Sequence, residues 1–449
     1  MSHYRPYPRL KPSGVPWLSD LPDHWQVAQL GKLSKARCDG PFGSGLKSDH
    51  YVPEGIRVVR LQNIGWAAFS GQDAAFISEK HWHDKLNGGH DVNPGDVLIA
   101  GLGDDNNPLG RACVAPDDIA PAMVKADCYR FRLHVERLNP DFAALALSAT
   151  ARAECGFLAT GATRERLNLG LAASRKLPIP PLEEQAGIVT ALSSETARID
   201  ALIEKKTRFI GLLKEKRQAL ITQAVTKGLD PTVPMKDSGV EWIGEIPAHW
   251  VIEKLHWQFS VKLGKMLDHK RITGRHPMAY LRNQDVQWGR INSDCLPTMD
   301  IKPEEYDRYT AKQGDLLVCE GGDVGRAAIW SGDQIGYQKA LHRLRPREQA
   351  NPKFMYYLLI AAKSRGAFES DDSKATISHL PADKFRQVRF SFPDFQEQGA
   401  ICSHLDSAVT KLDLLSNRVQ DSIDLLAERR SALITAAVTG QIDLREDAA

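Results

Sequence analysis

Two short polar strings carry side chains suited to reading a flat, hydrogen-bonding surface: Arg60-Leu61-Gln62-Asn63 and Arg282-Asn283-Gln284. A guanidinium pairs bidentately with guanine and a carboxamide with adenine. Arg60, Gln62, Asn63, Arg282, Asn283 and Gln284 are therefore candidates for base-edge contact, with a solvated strand edge or internal hydrogen bonding as the alternative. A glycine-rich stretch, Gly40-Pro41-Phe42-Gly43-Ser44-Gly45-Leu46-Lys47, offers Gly43, Ser44 and Lys47 to a phosphate, or else forms a tight structural turn. It is not a nucleotide-binding loop, because Leu46 separates Gly45 from Lys47 where Gly-Lys-Ser/Thr is required. Thr163, Arg164, Arg166 and Asn168 form a polar loop, and Lys265, Lys270, Arg271 and Arg275 a basic stretch. Either cluster suits phosphate contact or plain solvated surface.

Catalytic signatures are missing. A methylase acting on an exocyclic amine needs an Asn/Asp-Pro-Pro-aromatic tetrapeptide, yet Asn93-Pro94-Gly95, Asn107-Pro108-Leu109 and Asn139-Pro140-Asp141 lack the second proline and the ring. No Walker motif and no nuclease carboxylate–lysine cluster stands out. His81-Trp82-His83, read as a strand, has no further ligands near it, so no metal is expected. Trp66, Trp82, Trp288 and Trp330 suit stacking on flipped bases, with core packing the stronger expectation. The seven cysteines are scattered without a CxxC pair, which predicts reduced thiols rather than disulfides or a zinc site. No catalytic residue and no cofactor is expected in this chain.

The elements that would position these strings come in two copies. Ser13-Gly14-Val15, Trp17, Pro22 and His24-Trp25 recur 225 residues later as Ser238-Gly239-Val240, Trp242, Pro247 and His249-Trp250. Ala219-Leu220-Ile221-Thr222, Ala224-Val225-Thr226 and Asp230 recur 213 residues later, from Ala432 to Asp443, and Gln185 recurs as Gln398 at that same offset. Each half thus joins a variable segment, differing in length by 12 residues, to an element of fixed length.

The fixed element reads as a long helix. Pro180-Pro181 and Pro393 punctuate its two starts, and neither proline nor glycine interrupts Ala400 to Thr439. Ile188, Leu192, Ile199, Leu202, Ile210, Leu213 and Leu220 align with Ile401, Leu405, Leu412, Leu415, Ile423, Leu426 and Leu433 at coiled-coil spacing. About 40 residues make roughly 60 Å of helix. One apolar stripe needs a partner, and the other copy, packed antiparallel, is the expected one.

The variable segments hold short β-rich runs, Gly55–Leu61, Gly95–Ile99 and Gly314–Val318, broken by Gly, Asn and Asp turns, with short helices expected after Asn139-Pro140 and Asn351-Pro352. The predicted architecture is α+β: globules over 1–180 and 231–392, long helices over 181–230 and 393–445, and pseudo-two-fold symmetry between the halves. Across 449 residues no run approaches the roughly 20 apolar residues of a membrane span, and Met1-Ser2-His3-Tyr4-Arg5-Pro6 lacks a secretory stretch, so the cytoplasm is expected and a membrane is not. A net charge of +2 means that nucleic-acid affinity must rest on local patches or on partners.

This layout resembles the specificity subunits of type I restriction-modification systems over essentially the whole chain. The resemblance rests on Pro181-Leu182-Glu183-Glu184-Gln185 and Pro393-Asp394-Phe395-Gln396-Glu397-Gln398 at the helix starts. It also rests on the ordered strings Gly40–Lys47, Arg60–Ile64, Gly95–Leu98 and Gly161–Asn168, then Gly264–Leu267, Tyr280–Asn283, Gly314–Leu317 and Glu320–Arg326. Asp394-Phe395-Gln396 departs from the usual start. The resemblance implies a non-catalytic subunit whose two target-recognition domains read a bipartite site on double-stranded DNA. It implies two modification subunits that use S-adenosylmethionine and two restriction subunits that use ATP and Mg. The rival reading of the same residues is a coiled-coil protein-interaction scaffold.

Overall fold

Val97-Leu98-Ile99-Ala100 and Leu316-Leu317-Val318-Cys319 are apolar without alternation, the pattern of a strand covered on both faces. In the computed structural model each forms a fully buried strand, Val97–Ala100 and Leu316–Cys319. Successive side chains on a strand point to opposite faces, and the cores divide accordingly. Val97 and Ile99 pack with Trp25, Phe142 and Ile188, whereas Leu98 and Ala100 pack with Val59, Val92 and Val124. Leu316 and Val318 join Trp250, Phe354 and Ile401, while Leu317 and Cys319 join Leu281, Ile335 and Tyr337.

The structure describes residues 4–42, 45–158, 166–268, 273–347, 349–368 and 379–445, the side chains of 156–158 excepted. It divides into two units, Met1–Lys205 with Ser422–Ala449, and Lys206–Asp421. In the first, an antiparallel sheet runs in the order Ala112–Val114, Val97–Ala100, Cys128–Leu133, Ser34–Cys38. The second repeats that order with Ala327–Ile329, Leu316–Cys319, Leu341–Pro346 and Phe259–Leu263. A further sheet in each unit contains one parallel pair: Ile56–Val59 with Ala122–Val124, and Pro277–Leu281 with Ile335–Tyr337.

The turn before each buried strand is built the same way. Gly95 and Gly314 have φ of +79° and +89° with open space where a Cβ would sit, so backbone conformation rather than room demands glycine. Asp96 and Asp315 accept the Asn93 and Lys312 N–H groups at 2.8 Å. Each carboxylate also takes a two-pronged arginine, Arg132 at 2.9 and 2.9 Å and Arg345 at 2.9 and 2.7 Å. Two-pronged contacts of this kind offset the cost of burying a carboxylate.

The long helices span Leu182–Lys227 (46 residues) and Phe395–Val438 (44 residues). In the first unit Ile188 and Leu192 share a core with Leu433, Ala437 and Val438. In the second, Ile221, Ala224 and Val225 share one with Ile401, Leu405 and Val409. Asp200 pairs with Arg430 at 2.9 Å, and Asp413 with Arg217 at 3.1 Å. The 213-residue repeat carries Asp200 onto Asp413 and Arg217 onto Arg430, so these are two copies of one antiparallel contact. Leu202 and Leu415, placed in the seam by spacing, are 43% and 40% exposed. Ile210, Leu220, Leu412, Ile423 and Leu426 are half-buried, because two helices bury only a narrow stripe of each other.

One further difference from the sequence reading has a local cause. His81-Trp82-His83 lies in the helix Glu79–Leu86, started by a Ser78 cap, and not on a strand. Trp82 donates its indole N–H to the Gly89 carbonyl at 3.0 Å. Among the described residues no cluster of His, Cys, Asp and Glu is arranged to hold a metal, and no helix is long and apolar enough to cross a membrane.

His342, on the strand Leu341–Pro346, is fully buried beside Phe385 and lies 2.8 Å from the Leu380 carbonyl through Nε2. Burial, reinforced by the charge of Arg386, pulls its pKa down from 6.5 to about 4, although the Leu380 carbonyl opposes the shift. The folded state therefore binds fewer protons than the unfolded state between those values, and stability falls as pH falls from 6.5 toward 4. The slope is about 1.4 kcal/mol per pH unit, giving a loss of about 2 kcal/mol at pH 5. Urea titrations should show this acid limb, and His342→Gln should flatten it. An unchanged limb in that variant would assign it to other groups.

Candidate nucleic-acid interface

The motif that opens each half closes onto the start of its long helix. Glu184 accepts hydrogen bonds from the Tyr7 hydroxyl at 2.7 Å and the Trp25 indole at 3.1 Å, and lies 2.8 Å from His24 Nε2. Burial and the neighbouring Glu184 carboxylate hold the Tyr7 phenol far above its ordinary pKa, so it stays a donor. Glu397 repeats the clamp with Trp250 at 3.2 Å and His249 at 2.8 Å. The adjacent glutamines lock the next element: the Gln185 oxygen accepts the Asn139 N–H at 2.8 Å, and the Gln398 oxygen the Asn351 N–H at 2.9 Å. Those asparagines precede the helices Pro140–Leu158 and Pro352–Ser364. Each Glu-Gln pair thus fastens a globule to its helix.

Removing Glu184 leaves buried Tyr7 and Trp25 donors without an acceptor, which costs about 2–4 kcal/mol. Glu397 is 28% exposed and His249 51%, so water replaces part of its bonding. We expect Glu184→Ala to raise hydrogen exchange throughout the first unit, and Glu397→Ala to have a smaller effect confined to the second. Equal effects would contradict the burial argument.

The two polar strings adopt one turn. Arg60 and Arg282 follow the strands Ile56–Val59 and Pro277–Leu281, and their backbone N–H groups cap onto Asn63 Oδ1 at 2.9 Å and Asp285 Oδ2 at 2.7 Å. Asn63 is 1% exposed and also donates to the Ser70 and Gln72 carbonyls, so it anchors the loop. Asn283 donates to the Gly321 and Ala340 carbonyls and accepts from Arg326. Arg60 donates to the Asp73 carbonyl, and Arg282 folds back onto Asp285 at 2.8 and 2.9 Å. Gln62 and Gln284, at the same place in both turns, are exposed. Turned toward Arg282, the Gln284 oxygen accepts from its guanidinium at 3.2 Å.

Lys47 is exposed. Gly43, Ser44, Thr163, Arg164, Lys270 and Arg271 lie outside the described residues. Arg166 is exposed, pairs with Asp127 at 2.7 Å and stacks over Phe42. Asn168 caps the helix Leu169–Ser174. Lys265 pairs with Glu305 at 2.5 Å and lies over Tyr309. Gly40 and Gly264 approach backbone so closely that a Cβ would meet Lys125 C at 2.1 Å and Gln338 O at 2.3 Å, a structural reason for the first glycine of each motif.

Sequence reasoning missed the arginines that support the turns. Arg111, 5% exposed, donates to the Ile64 and Leu61 carbonyls at 2.6 and 2.9 Å, and Arg326 donates to the Asn283 carbonyl at 3.0 Å. The available signal was the matched Gly110-Arg111-Ala112 and Gly325-Arg326-Ala327, visible only once the two halves are aligned.

Known proteins share this plan. A family model for the type I restriction modification DNA specificity domain matches residues 260–424. The type I restriction enzyme EcoKI specificity subunit of Escherichia coli is 19% identical over 94% of this chain and 90% of its own length. The MjaVIII specificity subunit of Methanocaldococcus jannaschii is 24% identical over 60% of this chain, a match that spans 63% of that relative. A solved structure concerned with complex assembly and conformational transition of the type I R-M system superposes with a TM-score of 0.71 at 15% identity, covering 93% of this chain and 98% of that one. The HsdS subunit from Thermoanaerobacter tengcongensis gives 0.54 at 16% identity, covering 94% and 98%. With its repeated Glu-Gln clamp and its paired turns, the chain is similar over nearly its whole length to type I restriction-modification specificity subunits, and its second half matches their DNA specificity domain.

Proposed function

We propose that this chain is the non-catalytic subunit that selects DNA for a type I restriction-modification complex, each globule reading one part of a bipartite site. The observation that carries this reading is one frame built twice, each copy presenting a glutamine to solvent. An arginine, buried Arg111 in the first unit and half-buried Arg326 in the second, holds a capped turn whose anchor is Asn63 or Asp285 and whose exposed side chain is Gln62 or Gln284. A fixed frame that holds a carboxamide free in each of two units is what reading base edges at two places requires. Lys47, Gln62 and Arg166 in the first unit, and Gln284 with Lys265 in the second, are the contacts we assign to DNA. The half-sites lie about one helical turn apart, roughly 34 Å, with an unread spacer between them.

Catalysis belongs to partners. Two modification subunits carrying S-adenosylmethionine and two restriction subunits using ATP and Mg complete the complex, which works in the cytoplasm. The modification subunits dock on the exposed leucines of the long helices. Co-expression of the chain with its modification subunit, followed by mass photometry and footprinting, tests this reading. One chain with two modification subunits protecting a two-part site is expected, with affinity falling steeply in salt as phosphate contacts dictate. A chain that self-associates and ignores DNA would establish the scaffold reading instead.

A further inference from the structure

We propose that Arg430 and Arg217 are positioning residues, each bracing a recognition globule against both long helices and so setting the angle at which its DNA-reading turn is presented. In the first unit Arg430 of the second helix lies 2.9 Å from Asp200 of the first, and its guanidinium sits 5.8 Å from the centre of the Trp66 ring. In the second unit Arg217 of the first helix bonds Asp413 of the second at 3.1 Å, and its charge acts on the Tyr356 hydroxyl, whose ring stands 6.2 Å from that of Trp288. Trp66 follows the turn residue Asn63 by three positions, and Trp288 follows Asp285 by three. The internal repeat therefore places arginine, carboxylate and tryptophan at equivalent positions in both units.

The arrangement joins three elements through one side chain. A guanidinium can pair with a carboxylate while offering its face to a ring, which an ammonium does less well. Both arginines keep about a third of their side-chain surface exposed, 31% and 30%, so neither is an ordinary core group. Packing around Trp66 is incomplete, with a cavity of about 480 Å³ lined by Trp66, Asn107, Arg152, Ile203 and Arg430. A loosely filled interface does not fix an angle by itself, which leaves the brace to do so. Ala67, next to Trp66, donates its N–H to the Ala112 carbonyl at 2.9 Å, tying the braced tryptophan to the strand beside Arg111, which holds the reading turn through the Leu61 and Ile64 carbonyls.

The spacer readout rests on the two-part DNA reading proposed above, so the test has a second arm that does not. The full chain in complex with its modification subunits is challenged with a DNA library in which the distance between half-sites varies. Arg430→Ala and Trp66→Ala should broaden the accepted spacer, reducing preference for the best spacing over its neighbours about tenfold, with base preference inside each half-site unchanged. Trp66→Phe, which keeps a ring, should retain wild-type selectivity. The charge exchange Asp200→Arg with Arg430→Asp restores the helix ion pair without the ring contact and should stay broadened; full recovery would reduce the brace to an ordinary ion pair. In the second arm, hydrogen exchange without DNA should rise in peptides covering 61–70 when Arg430 becomes alanine. Unchanged exchange and unchanged spacing would overturn the proposal. A wild-type complex with no spacing preference at all would instead sink the two-part reading, leaving exchange to judge the brace.

Discussion

Inserting one heptad after Arg208 and another after Asp421 shifts the preferred spacer between the two DNA half-sites by about three base pairs and leaves both half-site sequences unchanged. Seven helical residues add about 10 Å at 1.5 Å per residue, and B-DNA rises about 3.4 Å per base pair. The positions are equivalent under the 213-residue repeat. They are also opposed in the antiparallel register defined by Asp200 with Arg430 and Arg217 with Asp413. A seven-residue step preserves the seam because its apolar pattern recurs at that period. On the parental site the lengthened protein can engage only one half at a time, which forfeits avidity of about 100-fold or more. Selection from a randomised-spacer library checks the prediction. Recovery of the parental spacing would show that something other than helix length sets the distance.

Much of the frame was legible in the sequence because the physics behind it is periodic or duplicated. The paired helices follow from apolar spacing over many turns, and the buried strands Val97–Ala100 and Leu316–Cys319 from unbroken apolar runs. The repeat drew attention to Glu-Gln at the helix starts and to His-Trp at the start of each half. Their union as a clamp was not legible, since Trp25 and Glu184 meet across 159 residues and no local rule joins them. The candidate site was legible only as composition. Asn63, Asn283 and Gln62 are alike as side chains, yet two of them are spent on backbone carbonyls and one faces solvent. A side chain's availability depends on partners that the fold brings in from elsewhere, such as Arg326 at Asn283, so the residue type suited to a base edge suits a loop anchor equally well. Misreading His81-Trp82-His83 as a strand has a similar cause. Three residues hold less than one helical turn, and the Ser78 cap that decides the matter lies outside the string.

In the proposed assembly with two modification subunits, Leu425→Glu should remove one of them from the complex, and Leu212→Glu the other. These leucines are 65% and 53% exposed, and the repeat makes them equivalent, as it does Leu202 and Leu415 at 43% and 40%. Accordingly the first unit presents Leu202 with Leu425, and the second presents Leu415 with Leu212. A solitary exposed leucine means little, because folded surfaces carry many apolar atoms. Exposure at the same positions in both copies is different: the seam does not use these side chains, so another apolar surface must account for them, and it must be one that binds twice. A carboxylate forced into such a contact loses its water without gaining a partner. A central apolar anchor is worth about 2 kcal/mol or more, or at least about 30-fold in affinity. The free chain should hardly notice, since exposed substitutions cost within about 0.5 kcal/mol and glutamate is a good helix former. Mass photometry of co-expressed complexes should therefore show one modification subunit on each single variant and none on the double, with thermal stability of the chain unchanged. If the double variant still carries two, the modification subunits dock elsewhere, and the repeated leucines await another partner.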